Sequence, residues 1–199
     1  AGEILAQGVV AATPGGEAVL TARAAGAVTQ IFKRLGDPVR AGEALAIVES
    51  REAAQIAADR TVASARANLA QTTLARERRL FEQRVSPRQD YEQAQAEAAA
   101  ANAEARRAQV AAGAANVSAD GRGVVVTSPI AGRVTAASLT LGAFVQPETE
   151  LFRIADPKLV HVEASVSGMD APRIAPGDRV VVEAADGRTV EGKVRSLTP

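Results

Sequence analysis

Residues 123–154 read GVVVTSPIAGRVTAASLTLGAFVQPETELFRI, and residues 17–48 read EAVLTARAAGAVTQIFKRLGDPVRAGEALAIV. The two stretches match in one register, 106 residues apart: Gly26 with Gly132, Val28 with Val134, Gly36 with Gly142, Val39 with Val145, Leu45 with Leu151, and Val48 with Ile154. One offset without gaps marks an internal repeat, and a repeat governs the reading of the whole chain. Each half looks β. Short apolar runs (VLTAR, AVTQIF, ALAIV) alternate with turn signals at Gly36-Asp37-Pro38 and Ala41-Gly42-Glu43, and at Pro129, Gly132, Gly142 and Pro147 in the second half. A segment of about thirty residues cannot enclose a core by itself. Two such segments facing each other can, each covering the apolar side of the other. The expectation is one small β-sandwich made by residues 17–50 and 117–156.

What lies between the halves is different. Residues 51–116 are dense in Ala, Glu, Gln and Arg, all strong helix formers. One proline, Pro87, interrupts them in RVSPRQDYEQA. Ser86 before it and Gln89 after it read as a helix start, with Ser86 as N-cap and Gln89 as capping-box partner. The first helix then stops near Arg84, because the residue preceding a proline is driven out of the α region. Ala53, Ile56, Ala63, Ala67, Ala70, Leu74 and Phe81 recur at 3–4 spacing, broken by Arg60 and Glu77, and Tyr91, Ala94, Ala98, Ala101, Ala105, Ala108 and Ala112 follow the same spacing unbroken. This pattern predicts an antiparallel coiled-coil hairpin with a close, Ala-lined seam. Arg76, Arg78, Arg79, Arg84 and Arg88 read as a solvated basic face near its turn.

The flanks carry strands. Residues 2–12 and 158–167 alternate, the latter with Val160, Val162, Ala164 and Val166 on one face. Residues 178–184, the turn Ala185-Asp186-Gly187 and TVEGKVRSL read as a β-hairpin. Residues 1–16 and 157–199 are therefore expected to pair with each other as part of a β-barrel, left incomplete by these strands alone. The expected fold class is mixed α and β, elongated and multidomain.

Composition excludes several functions. The 199 residues carry 23 Lys+Arg against 23 Asp+Glu, so no net field favours nucleic acid. There is no Cys, one His and one Met, which removes thiolate chemistry and makes a soft-metal site poor. His161 falls on the outward phase of its strand with Glu163 and reads as a surface histidine. No P-loop, dinucleotide fingerprint or nucleophile–base constellation is present. Neither a catalytic site nor a cofactor nor a resident metal is expected. No charged n-region or apolar h-region opens the chain, so any signal peptide or anchor is expected to have been removed or to lie outside these residues.

A β-module split by a helical hairpin and flanked by barrel strands resembles the periplasmic adaptors, or membrane fusion proteins, of tripartite efflux pumps, the HlyD-like group. The resemblance rests on the split lipoyl-like motif, with Gly26, Val28 and Gly36 in one half and Gly132, Val134 and Gly142 in the other, and on LFEQRVSPRQDYEQA at the turn. It implies a non-catalytic periplasmic subunit, associated with the inner membrane of a Gram-negative bacterium. Such a subunit self-associates into a ring and links an inner-membrane transporter to an outer-membrane channel. The hairpin length is more similar to adaptors of resistance-nodulation-division (RND) pumps; adaptors of ATP-driven (ABC-type) exporters or type I secretion systems are the alternative. The tip motif of the pump-linked members, Arg-x3-Leu-x6-Ser, carries over to Ser86, Leu80 and Arg76, although only five residues separate Leu80 from Ser86. The resemblance also implies a membrane-proximal domain beyond Pro199. Biotinyl and lipoyl carriers share the sandwich, but Glu52 lies where their modified Lys would be wanted.

Overall fold

A computed structural model of the chain describes residues 4–198. Its described residues fall into two compact units, 14–159 and 4–13 with 160–198.

The larger unit contains the repeat. Its first half forms β2 (Glu17–Thr21), β3 (Gly26–Ile31), β4 (Pro38–Val39) and β5 (Ala44–Glu49). The second forms β6 (Gly123–Thr127), β7 (Gly132–Ala137), β8 (Phe144–Val145) and β9 (Glu150–Ala155). Every strand of the second half begins 106 residues after its counterpart. The halves do not simply face each other, as the sequence leads one to expect. The two four-stranded sheets have the orders β2-β9-β7-β4 and β6-β5-β3-β8, so each half lends both edge strands to the sheet of the other. The physical reason is that a single half supplies one central hairpin whose edges need hydrogen-bond partners. Equivalent bonds recur around a pseudo-two-fold. Gly36 N–H donates to the Val134 carbonyl and Gly142 N–H to the Val28 carbonyl, both at 2.8 Å.

Val28 and Val134, each 1% exposed, meet in one core with Leu45, Val48, Leu151, Ile154 and the fully buried Phe152. Gly26 and Gly132 lie where backbones touch: a Cβ would come within 2.0 Å of the Glu49 carbonyl oxygen at the first and 2.4 Å of the Ala155 carbonyl oxygen at the second. Gly36 and Gly142 turn through positive φ, 87° and 83°.

The chain leaves this sandwich at two equivalent places. Ser50 N–H bonds the Arg122 carbonyl at 3.0 Å where the helices depart, and Asp156 N–H bonds the Gly16 carbonyl at 2.7 Å where the flanks depart. The helices are α1 (Arg51–Glu82) and α2 (Arg88–Ala114), about 48 and 40 Å long at 1.5 Å per residue. Ser50 caps α1, its hydroxyl accepting from Glu52 N–H at 3.2 Å. Ala63 and Ala67 of α1 and Ala94, Ala98 and Ala112 of α2 are buried, as is Ala53, which packs on Ala24 and Val124 of the sandwich. At the root of the hairpin the buried Ser118 donates to Asp120 at 2.5 Å and accepts from Gly123 N–H at 3.0 Å. The Ser118 hydroxyl first, and Arg122 N–H second, hold the Asp120 carboxyl below the usual carboxylate range.

In the smaller unit β1 (Gln7–Ala12) pairs antiparallel with β10 (Val160–Ser165), joining segments from opposite ends of the chain. The strand expected from residue 2 starts at Gln7; Gly2 and Glu3 lie outside the described residues. β11 (Arg179–Glu183) and β12 (Thr189–Lys193) form the second hairpin. The alternation read in residues 158–167 does form a strand, but its apolar face is not the covered one. Val160 and Val162 are 49% and 40% exposed, while His161 is the least exposed residue of β10. His161 thus lies on the less exposed side of the strand and not on the outward phase, with about a third of its side chain still exposed: its Nε2 lies 3.1 Å from Glu163 and its shielded Nδ1 has no partner among the described residues. Among the described residues, the two two-stranded sheets of this unit leave the valines without a covering layer.

Candidate functional site

The hairpin turn, where the tip motif falls, is built from the end of α1. Gln83 is the C-cap, and Arg84 follows with φ 60°. Arg84 N–H bonds the Phe81 carbonyl at 2.9 Å and Val85 N–H bonds the Leu80 carbonyl at 2.8 Å. These two bonds make a Schellman motif, which satisfies carbonyls that the helix end would otherwise orphan. The helix thus stops through a left-handed residue, and Pro87 only keeps it from resuming. At the other end of the hairpin α2 stops the same way on Asn116, φ 51°.

The capping role read for Ser86 is not what the structure holds. Pro87 occupies the N-cap position of α2, with φ −65° and ψ 153°, and no side chain caps that helix. The half-buried Ser86 hydroxyl instead lies 3.1 Å from a Glu77 carboxylate oxygen and 3.3 Å from one of Asp90, and shares its single proton between them. Ser86 lies one residue outside the cap position, because α2 begins at Arg88 and not at Pro87, and its hydroxyl is free to donate to the two carboxylates instead. Glu77, which interrupts the apolar seam in the sequence, is therefore a partner of the turn.

Leu80 is half-buried and supplies the carbonyl that accepts from both Val85 N–H, at 2.8 Å, and Ser86 N–H, at 3.3 Å. Arg76 is exposed, 3.6 Å from Glu77. The three residues carried over by motif thus sit within one turn region, tied together through Glu77 and the Leu80 carbonyl. Phe81 and Tyr91 stack across the two helices, ring centroids 5.5 Å apart and planes within 8°. The sequence reading placed both on the seam but not against each other, because nothing in a one-dimensional pattern gives the axial stagger of two helices.

Among the described residues no group of three or more His, Cys, Asp or Glu is placed to hold a metal, and no helix is long and apolar enough to cross a membrane. The surface that remains distinctive is the turn of the hairpin, carried on a sandwich of duplicated halves.

The sequence profile of CzcB-like, barrel-sandwich hybrid domains matches residues 16–156, the whole of that sandwich and hairpin. The chain belongs to this family. Its fold is that of the membrane fusion proteins, as the split lipoyl-like motif implies. The nickel-cobalt-cadmium resistance protein NccB of Alcaligenes xylosoxydans xylosoxydans is 53% identical over 98% of this chain and 49% of its own length. The nickel and cobalt resistance protein CnrB of Cupriavidus metallidurans is 51% identical over 99% of this chain and 50% of its own. The chain therefore spans about half the length of these curated relatives. The crystal structure of ZneB from Cupriavidus metallidurans superposes with a TM-score of 0.60 at 28% identity, covering 95% of this chain and 81% of that one. In the CzcB-like chain described here, the hairpin is thus an insertion into a barrel-sandwich hybrid, and its turn is the part of that insertion farthest along the chain from the sandwich strands.

Proposed function

We infer that this chain is the adaptor portion of a periplasmic membrane fusion protein that links an inner-membrane RND transporter to an outer-membrane channel for export of nickel, cobalt or a similar divalent cation. Its role is assembly rather than catalysis: it joins the two partners and associates with further copies of itself in a ring. The reading is carried by identity at about half of all positions along the whole chain with two proteins named for nickel and cobalt resistance. The fold supports it, because a rigid hairpin on a small sandwich is suited to reaching between partners. Ser86, Leu80 and Arg76 form the channel-docking turn. A ring presents many turns to one channel, so a small loss at each contact multiplies across the assembly.

The test is complementation. Cells lacking their adaptor receive the full-length protein as wild type, Ser86→Arg or Leu80→Asp, and are grown on nickel chloride and on cobalt chloride. Wild type restores tolerance; both variants, at normal protein levels, do not. Failure of wild type to restore tolerance to either salt would overturn the cargo assignment. Full tolerance from both variants would overturn docking through this turn.

A further inference from the structure

At the tip, the residues that face outward are not those of the motif. Ser86 is engaged internally with Glu77 and Asp90, and Leu80 is half-buried under the turn. Arg84 and Val85 are exposed, Val85 by 71%. Two features of this pair are costly for the isolated chain. Arg84 holds the left-handed position of the Schellman motif, where glycine is the usual occupant. The corresponding position after α2 is Asn116, the tolerated alternative, whose side chain bonds Thr127 at 3.4 Å. Arg84 has no side-chain hydrogen bond or ion pair among the described residues, so only the backbone bonds of the motif offset its conformation. Val85 is the apolar residue that such a motif commonly packs back onto its helix, yet it stands in the open. Strained residues of this kind cluster at functional sites.

The charges near the turn are also unbalanced. Arg78 pairs with Glu82 at 3.3 Å, Arg88 with Glu92 at 2.7 Å, and Arg76 approaches Glu77 at 3.6 Å. Asp90 receives the Ser86 hydroxyl. Every carboxylate from residue 76 to 92 is thereby engaged, and Arg79 and Arg84 are left without a side-chain partner among the described residues.

We propose that Arg84 and Val85 make the direct contact with the outer-membrane channel, Arg84 to a carboxylate and Val85 to a small apolar site beside it, while Ser86 acts as a positioning residue that fixes the turn through Glu77 and Asp90. The proposal rests on the docking role assigned to this turn and names the chemistry of the partner surface. A guanidinium offers a forked donor pair to a carboxylate, so charge alone supplies part of the contact and geometry the rest.

The experiment uses the full-length protein in the complementation assay on nickel chloride, with melting temperature measured on each purified variant. Arg84→Gly keeps or raises the melting temperature and yet loses nickel tolerance. Arg84→Glu loses it fully, Arg84→Lys retains part, and Val85→Asp resembles Arg84→Glu. A mutant channel with one carboxylate at its periplasmic mouth changed to Lys restores function to Arg84→Glu. Wild-type tolerance from Arg84→Gly and Arg84→Glu, alongside loss in Leu80→Asp, would overturn the contact role while leaving docking through the turn intact. Wild-type tolerance from all of them would overturn both.

Discussion

Gly42 and Glu148 occupy the same place in the two repeat halves, and both turn through the left-handed region, at φ 81° and 69°. Tertiary hydrogen bonds hold them there: Gly42 N–H to the Ser128 carbonyl at 2.7 Å, Glu148 N–H to the Ala22 carbonyl at 2.9 Å. Glycine adopts this conformation freely, whereas a residue with a Cβ loses about 1–2 kcal/mol. Glu148→Gly should therefore stabilise the sandwich by up to about 1 kcal/mol, the remainder being offset by the greater freedom of glycine in the unfolded chain. Urea unfolding of the two proteins measures the difference, and an unchanged or lowered midpoint would contradict it. The repeat register identifies this position from sequence, since Gly42 lies 106 residues before Glu148. That the glutamate is left-handed does not follow from its sequence, because a residue with a Cβ does not by itself mark a left-handed turn.

The hairpin is an element whose seam sequence describes well and whose ends it describes less well. Ala94 and Ala98 are 4% and 1% exposed, so a larger side chain at either position must displace the neighbours that cover it. Ala98→Leu should cost about 1–3 kcal/mol by overpacking. Heating followed by circular dichroism at the helical band would show helix loss at a lower temperature than in wild type; an unchanged curve would mean that the helices separate easily. At the root, the depressed Asp120 carboxyl makes a second prediction. The folded state binds this proton less readily than the unfolded one, so the Ser118–Asp120 interaction contributes at and above the ordinary carboxylate range and is lost as pH falls through the lower, folded value. Asp120→Asn should melt lower than wild type at neutral pH, and the gap should close in strong acid. A gap constant with pH would assign the effect to something other than this carboxylate. The helix pattern shows 3–4 spacing because burial on a helix is periodic. The Ser-Pro pattern places the cap at Ser86, but α2 starts one residue later, at Arg88, and Glu77, nine residues before Ser86, is brought near its hydroxyl only by the hairpin.

Over the whole molecule, the sandwich closes without help from the helices. Glu49 and Gly123 are cross-strand partners at the hairpin root, and Ser50 N–H bonds the Arg122 carbonyl. Replacing residues 51–121 by a short Gly-containing turn should leave a folded, cooperatively unfolding β-sandwich, because β5 and β6 already lie side by side. Retention of dispersed amide resonances from residues 17–49 and 123–155 would bear this out, and their collapse would show that the helices are needed for the core. Small apolar contacts do link α1 to the sandwich, with Ala53 packed against Ala24 and Val124. Their loss should lower stability without abolishing the fold.

The repeat, the helical insertion and the pairing of distant flanks were determined by sequence alone, because each is written as a pattern: a fixed offset, a 3–4 spacing, an alternation. Gly26 and Gly132 belong with these, since the repeat singles them out before any backbone is seen. Tertiary structure decided what depends on neighbours far apart in the chain. The exchange of edge strands between halves follows from unsatisfied sheet edges, which no residue type encodes. The open face of Val160 and Val162 follows from the absence of a covering layer among the described residues, although their alternation is that of a buried face. The inward turn of Ser86 and the outward stance of Arg84 follow from hydrogen bonds made after the helices meet. A motif marks where a site is; which of its side chains is spent on holding the turn, and which is left for a partner, is settled by the geometry of the closed hairpin.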